Sequence, residues 1–302
     1  MPELPEVETT KRGLVKHVVG LTIRDVWTDL DTPDKRKADT IASTKHFPIF
    51  VKSVRGRKIL SAQRRAKNIL INLSGGKTIL VHLKMTGHLL YGKYKYKKNI
   101  NRFTPAEEGP LSDPFNRFIH VVFTLSNGNH LAFSDMRKFG KIVLLDTKEA
   151  HTGKHLVGLG PEPLDKKFTL KSFKERLLKK PSGKIKTVLM DQSVLVGIGN
   201  IYSDEILWRA SVHPERTVRT LTKTETEKIF KDTIETLKKG ISFGGDSMSD
   251  YRNIYGKPGK FQLHHEAYRR TGSKCRKKGC RGVIERKVVN GRSAHFCKVH
   301  QK

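Results

Sequence analysis

The hydrophobic period changes once along this 302-residue chain, and that change limits the architectures open to it. From Leu21 to about Asp146 the apolar residues recur at every second position, in LTIRDVW, KILSAQ, NILINL, TILVHL, FIHVVFTL, HLAFSD and GKIVLLD, which predicts seven or more short strands. Ser74-Gly-Gly-Lys77 and Ser126-Asn-Gly-Asn129 are hairpin connections, because glycine and Asn-Gly adopt the left-handed conformations that match strand twist. Many short strands in succession point to a β-sandwich or barrel. Beyond the turn-rich Gly158-Leu-Gly-Pro-Glu-Pro-Leu164 the period becomes helical, with helices expected over 169–180, 184–191, 200–210 and 223–239. Thr222 and Glu225 form a capping-box signature ahead of the last one. A short amphipathic helix over 6–18 precedes the strands, with Val7, Leu14, Val15 and Val18 on one face.

Segments 31–46 and 93–117 are polar and carry prolines and charges, so they are read as loops. Within the second, Lys93-Tyr-Lys-Tyr-Lys-Lys98 interleaves aromatics with cations and could lie along DNA, but it is read as a solvated edge or loop. Residues 241–262 contain glycines but no periodic apolar face, and are expected to form a mobile loop of the kind that carries function.

Charge narrows the partner. Sixty Lys and Arg against 29 Asp and Glu give a net charge of +31, spread over the whole length. A polyanion is the simplest explanation, with salt-sensitive affinity from phosphate neutralisation. The N-terminus has no apolar run of signal-peptide length and nothing approaches the ~18 apolar residues of a membrane span, so a cytoplasmic protein is expected. Three cysteines, all after residue 274, do not suit a disulfide framework. Cys275-x4-Cys280-x16-Cys297-x2-His300 instead places two ligand pairs on either side of a hairpin-sized insert turning at Asn290-Gly291, the pattern of a closed tetrahedral structural zinc site. His264-His265 is left out of the metal site because the tail already holds four ligands.

The first eight residues, Met1-Pro-Glu-Leu-Pro-Glu-Val-Glu8, admit two readings. Pro2 and Pro5 stiffen a terminus ahead of a helix whose positive end favours the acids. Alternatively, a small residue at position 2 permits loss of Met1. The freed secondary amine of Pro2 is then a covalent nucleophile able to form an iminium, with Glu3, and secondarily Glu6, to move protons.

PELPEVE at the extreme N-terminus resembles the start of the formamidopyrimidine-DNA glycosylases, and further motifs follow in that family's order. Arg64-Arg-Ala-Lys67 resembles the segment whose lysine holds the backbone near the lesion, which assigns that role to Lys67. His82-Leu-Lys-Met-Thr-Gly87 resembles the family run in which a histidine meets phosphate and a methionine enters the duplex, here His82 and Met85. Ser134-Asp-Met-Arg-Lys-Phe-Gly140 resembles the loop in which an arginine faces the orphaned base and a phenylalanine wedges the stack, here Arg137 and Phe139. Extruding a nucleotide leaves a gap that an unbranched thioether, a guanidinium and a ring can fill.

Leu189-Met-Asp-Gln followed by Val196-Gly-Ile-Gly-Asn-Ile-Tyr-Ser203 resembles the family's helix–two-turn–helix signature. There Gly197 and Gly199 let the next helix aim free amides and the Asn200 side chain at a phosphate. The Gly-Arg-Ser-x-His-Phe-Cys run at 291–297 resembles the family's zinc finger, in which Arg292 would grip the phosphates beside the extruded nucleotide. The first ligand pair is spaced by four residues where the family usually has two, and His300 stands where a fourth cysteine is usual.

The resemblance implies an α+β protein of two domains. A catalytic β-sandwich with a flanking helix would occupy 1–150 and a hinge 151–165. A helix–two-turn–helix domain with a lesion-capping loop at 241–262 would occupy 166–270, and a zinc finger 271–302. It implies a monomeric bifunctional glycosylase and AP lyase acting on oxidised purines in damaged double-stranded DNA, with one structural zinc ion. Three alternatives stand beside it: an endonuclease VIII-like enzyme for oxidised pyrimidines, a catalytically silent protein that binds damaged DNA, and an RNA-binding ribosomal accessory.

Overall fold

The computed structural model describes residues 1–31, 39–150, 153–248 and 250–302. Parts of the expected 31–46 loop and 151–165 hinge, and Ser249 of the 241–262 loop, lie outside the described residues. The chain divides into two compact units. The first comprises 1–2, 6–157 and 244–260; the second comprises 3–5, 158–243 and 261–302.

The first unit is a β-sandwich. Helix α1 (Leu4–His17) leads through β1 (Ile23–Thr28) to α2 (Phe47–Val54), then β2 (Ile59–Arg65), β3 (Asn68–Leu73), β4 (Lys77–His82) and β5 (His88–Gly92). A small hairpin, β6 (Tyr94–Lys97) and β7 (Arg102–Pro105), precedes β8 (Ile119–Leu125), β9 (His130–Ser134), β10 (Lys141–Asp146) and the turn of α3 (Thr147–Ala150). One sheet runs β1-β8-β9-β5 and the other β10-β4-β3-β2, with every pairing antiparallel. Alternation explains the layers: Ile69, Ile71 and Leu73 of β3 meet Val121, Phe123 and Leu125 of β8 in one buried core, together with Val7, Leu14 and Val18 of α1.

Gly75 and Gly76 (φ 73° and 71°) close the β3–β4 hairpin in the left-handed conformation the sequence predicts. Four elements depart from the sequence reading. Strand β5 was hidden because HLLYG is short and ends in glycine, and α2 because its eight residues carry too few polar positions to show a helical period. The 93–117 segment, expected as loop, contains β6, whose period-two alternation is of aromatics with cations rather than of apolar with neutral residues, and β7, a four-residue strand that ends in proline.

In the second unit, α4 (Leu170–Leu177), α5 (Ile185–Met190), α6 (Asn200–Ala210) and α7 (Lys223–Ser242) pack around Phe173, Leu189, Leu195, Ile206, Ile229 and Leu237. The capping box at the head of α7 is formed: Glu225 N donates to Thr222 Oγ1 (3.2 Å) and Thr222 N donates to Glu225 Oε2 (2.8 Å). The chain ends in a hairpin, β11 (Glu285–Val289) and β12 (Arg292–Phe296), turning at Asn290 and Gly291 with φ of 46° and 75°.

Candidate DNA-repair site

Antiparallel pairing carries three sequence motifs to one end of the sandwich. Strand β3 starts, β4 ends and β10 starts there, since Asn68 and Lys141 both pair with His82; β5 starts and β9 ends together, since His88 pairs with Ser134. The connections at this end are the Ala66–Lys67 turn, the 83–87 turn and the 135–140 loop. Each contains a non-glycine residue with left-handed φ, at Ala66, Lys84 and Lys138 (54° in each case), next to Lys67, Met85 and Phe139. Such conformations cost on the order of 1–3 kcal/mol and persist only where surrounding contacts impose them.

Those contacts are visible. Asp135, buried, accepts from Gly140 N (2.7 Å) and Arg137 N (3.3 Å) and also binds the Thr86 hydroxyl, which in turn accepts from Arg137 N (3.1 Å). One carboxylate therefore ties the 135–140 loop to the turn carrying Met85. Met85 and Phe139 remain exposed, and the Arg137 guanidinium lies 4.5 Å from the Phe139 ring centroid. The sequence reading singled out Met85, Arg137 and Phe139 but missed Asp135 and Thr86. Both stand inside the quoted motifs, and a carboxylate four residues before a wedge phenylalanine was the available signal.

Lys67 is buried at the β2–β3 turn, which Arg64 braces by donating to Ala66 O (3.1 Å) and to Glu8 Oε2 (3.1 Å). Burial pushes the Glu8 carboxyl up, but Lys11, Arg12 and Arg64 outweigh it and hold Glu8 below the usual carboxylate range. His82 is driven the other way. Burial, then the charges of Lys84, Lys67 and Lys141, lower it to about 3, so it is neutral near pH 7. Its Nδ1 accepts from Lys84 N (3.0 Å), which leaves the proton on Nε2 for an outside acceptor. A cluster of cations around a neutral imidazole donor suits a phosphate oxygen.

The N-terminal segment is held by α6. Buried Glu3 accepts from Gly199 N (2.5 Å) and Tyr202 N (3.4 Å) through Oε2 and from Ile201 N (2.9 Å) through Oε1. A carboxylate at the positive end of a helix, bonded to its first amides, is strongly stabilised in place. These are amides the sequence reading aimed at a DNA phosphate; the structure engages them with Glu3, because residues 3–5 lie against the glycine turn. Leu4 N donates to Gly197 O (2.9 Å), and a Cβ at Gly197, whose φ is 88°, would fall 2.6 Å from Leu4 Cβ. Pro2 is buried, beside Glu3 in the chain.

Glu6 anchors a different element. Its Oε1 accepts from Asp246 N (2.7 Å), its carbonyl from the Tyr251 hydroxyl (3.0 Å), and Ile254 packs in the sandwich core. Arg252 donates to Asp113 Oδ2 (3.1 Å) and lies 4.5 Å from the Phe115 centroid. The 241–262 segment expected to be a mobile loop is thus pinned at Asp246, Tyr251, Arg252 and Ile254 among its described residues, with Met248 exposed between anchors. Its buried side chains have no common period, which is why the sequence concealed the packing.

Asn200, at the head of α6, donates through Nδ2 to Ser293 Oγ (3.2 Å), one residue from exposed Arg292. A buried network that the sequence reading missed fixes this relation. Lys186 Nζ, fully buried on α5, donates to Asp204 Oδ1 (2.5 Å) and Ser203 Oγ (3.1 Å), while Asp204 Oδ2 accepts from His295 N and lies 2.9 Å from its Nδ1. A buried pair saturated by further hydrogen bonds sets position more than it adds stability.

Cys275, Cys280, Cys297 and His300 bring four ligand atoms within 4.8 Å of one another. Cys280 Sγ to Cys297 Sγ is 3.6 Å and Cys275 Sγ to His300 Nδ1 is 3.4 Å. A tetrahedron with metal–sulfur bonds of ~2.3 Å has edges of roughly 3.8 Å, so the set fits one ion. His300 Nε2 donates to Trp208 O (3.1 Å), which orients the ring with Nδ1 toward the thiols. Among the described residues no helix is long and apolar enough to cross a membrane.

A family model described as the formamidopyrimidine-DNA glycosylase N-terminal domain matches residues 1–142, and one described as the H2TH domain of the same enzymes matches 159–252. The formamidopyrimidine-DNA glycosylase of Herpetosiphon aurantiacus is 41% identical over 305 residues, and that of Heliobacterium modesticaldum 39% over 303, with all of each chain covered. A solved complex between the Lactococcus lactis Fpg and DNA containing an abasic site aligns with a TM-score of 0.83 at 30% identity over 99% of both chains. With two family domains in order and full-length identity of this size, the chain belongs to the formamidopyrimidine-DNA glycosylase family of base-excision-repair enzymes.

Proposed function

We propose that this protein removes oxidised purines such as 8-oxoguanine and formamidopyrimidines from double-stranded DNA and then cleaves the strand, with Pro2 as nucleophile. The observation that carries the reading is Glu3: a carboxylate one residue from the nucleophile, fixed by three amides of the α6 turn. Loss of Met1 frees the Pro2 amine. It attacks C1′ as the bond from C1′ to the base breaks, and the departing base takes up a proton. Opening of the sugar ring gives an iminium between Pro2 and C1′, which acidifies the C2′ proton. Its removal expels the 3′ phosphate, and a second elimination expels the 5′ phosphate. Glu3 accepts and returns protons at the sugar, with Glu6 in support.

The remaining residues position the duplex. Lys67 and His82 take phosphates near the lesion; Met85 and Phe139 fill the vacated stack and Arg137 faces the orphaned base. Asn200 and Arg292 grip the backbone beside the extruded nucleotide. Residues 1–150 form the catalytic domain, 151–165 the hinge and 166–270 the helix–two-turn–helix domain, whose 241–262 segment caps the base. Residues 271–302 form the zinc finger, in which Cys275, Cys280, Cys297 and His300 would hold one Zn2+. Filled by these four ligands, the site would have no open position for catalysis and would brace the hairpin carrying Arg292. The protein acts as a monomer, in the cytoplasm and on the chromosome.

Excision from otherwise identical duplexes carrying 8-oxoguanine, a formamidopyrimidine or an oxidised pyrimidine tests this. Faster release of both purine lesions is expected; faster release of the pyrimidine would overturn the assignment.

A further inference from the structure

The β6–β7 hairpin plays no part in the chemistry above, and its two faces differ sharply. Cross-strand pairing sets Tyr96 opposite Phe103 and Lys97 opposite Arg102. Strand alternation then divides the side chains. Tyr94, Tyr96 and Phe103 lie on the face turned to the sandwich: Phe103 is 5.3 Å from Trp27 and 5.6 Å from His130, and Tyr94 is 6.1 Å from His130, centroid to centroid. Lys95, Lys97 and Arg102 lie on the other face, all exposed, with Lys93 and Lys98 flanking them. No acidic residue occurs between 93 and 106, and none of these five cations forms an ion pair among the described residues. The tip is fixed by Asn101 in left-handed conformation (φ 48°), its Oδ1 accepting from the Tyr96 hydroxyl at 2.6 Å. A cluster of like charges costs the free protein self-repulsion, and here an aromatic face holds it in a rigid, solvent-facing row.

We propose that this hairpin is a second DNA-backbone contact, independent of the lesion. Alternate residues on a strand stand about 6.6 Å apart, close to the step between successive phosphates along one DNA strand. The hairpin leaves β5 at Gly92, the end opposite the Met85 turn, and the strand between them spans about 15 Å. It therefore takes phosphates remote from the extruded nucleotide, and it lengthens the grip on undamaged DNA rather than contributing to base removal. This inference rests on the reading that the protein acts on DNA, but its test does not need the glycosylase step.

The test compares the full chain with Lys95→Gln/Lys97→Gln/Arg102→Gln and with the charge-keeping Lys95→Arg/Lys97→Arg/Arg102→Lys, on a long undamaged duplex over a range of salt. Each phosphate contact contributes about 0.9 to the slope of log K against log salt, so the neutral triple variant loses roughly 2.7 from the slope. The charge-keeping variant retains the wild-type slope. Single-turnover excision from a short 8-oxoguanine duplex is the same for all three. An unchanged slope in the neutral variant overturns the proposal, as does a hairpin-dependent preference for folded RNA over duplex DNA. If excision is absent from every form while the slope still falls, the enzymatic reading fails and the hairpin proposal stands.

Discussion

Gly199→Ala probes the coupling between the α6 turn and the catalytic carboxylate with one methyl group. At Gly199 the backbone φ is −136°, a value any residue adopts, so alanine brings no backbone strain. The added Cβ would stand 2.6 Å from both Cδ and Oε1 of Glu3. Ordinary contact begins near 3.4 Å, so the carboxylate withdraws by about 0.8 Å. The bonds from Gly199 N (2.5 Å) and Ile201 N (2.9 Å) then stretch toward or past the normal limit. Weakening charge-assisted bonds to buried amides lowers stability by about 1–3 kcal/mol. A catalytic group misplaced by about 1 Å slows chemistry on the order of 100-fold. Single-turnover excision of 8-oxoguanine at saturating enzyme reads the chemical step, and affinity for a duplex holding a tetrahydrofuran abasic analogue reads binding. A rate loss near 100-fold with affinity within a few-fold is expected. Adding Glu3→Asp, which withdraws the carboxylate by one methylene, makes the two changes non-additive, because the clash is gone. A Gly199→Ala enzyme within twofold of wild type would refute the placement of Glu3 on this turn.

Three further outcomes follow from the same geometry. His300→Cys keeps four ligands and should retain DNA binding, whereas His300→Ala or a strong chelator should release bound zinc, measurable by metal analysis, and weaken binding through the Arg292 hairpin. Asp135→Ala strips an acceptor from the amides of Arg137 and Gly140 and from the Thr86 hydroxyl; a loss of about 2–4 kcal/mol in urea unfolding is expected, with excision slowed more than binding of undamaged DNA. His82 and His88 titrate at about 3 and about 4 in the folded chain, both lowered first by burial, against ~6.5 when unfolded. Below pH ~6.5 the unfolded chain takes up protons that the native one refuses, so stability is full above that value and declines as pH falls toward 4. Between pH 7 and 5 the two contribute a loss of about 1–2 kcal/mol each, and His88→Asn flattens the urea-midpoint profile.

How much of this was legible in the sequence depended on how local each feature is. Strand β3 and helix α6 matched their predicted limits, since NILINL is a short apolar run ended by the Ser74-Gly-Gly turn and Gly199 marks the helix start. The metal ligands were readable from spacing alone, since a hairpin-sized insert brings two ligand pairs together whatever surrounds them. The wedge residues were readable from their motifs, but Asp135, which shapes their loop, looked like any surface acid. Least legible were pairings across the chain: Glu3 meets Gly199 at a separation of 196 residues, and Glu6 meets Asp246 at 240. No periodicity reports a contact of that range. The cationic hairpin was misread for another reason, since its period-two pattern is written in charge and ring character rather than in hydropathy.

The central claim is that the processed N-terminal proline is the nucleophile. The most direct measurement is borohydride trapping on a duplex with one 8-oxoguanine, using protein whose loss of Met1 is verified by intact mass, followed by identification of the modified residue. A covalent protein–DNA adduct at the α-nitrogen of Pro2, absent from Pro2→Gly/Glu3→Gln and from protein that retains Met1, is predicted. Trapping through a lysine such as Lys67, or no adduct on either 8-oxoguanine or abasic DNA from zinc-loaded, Met1-free protein, would contradict it.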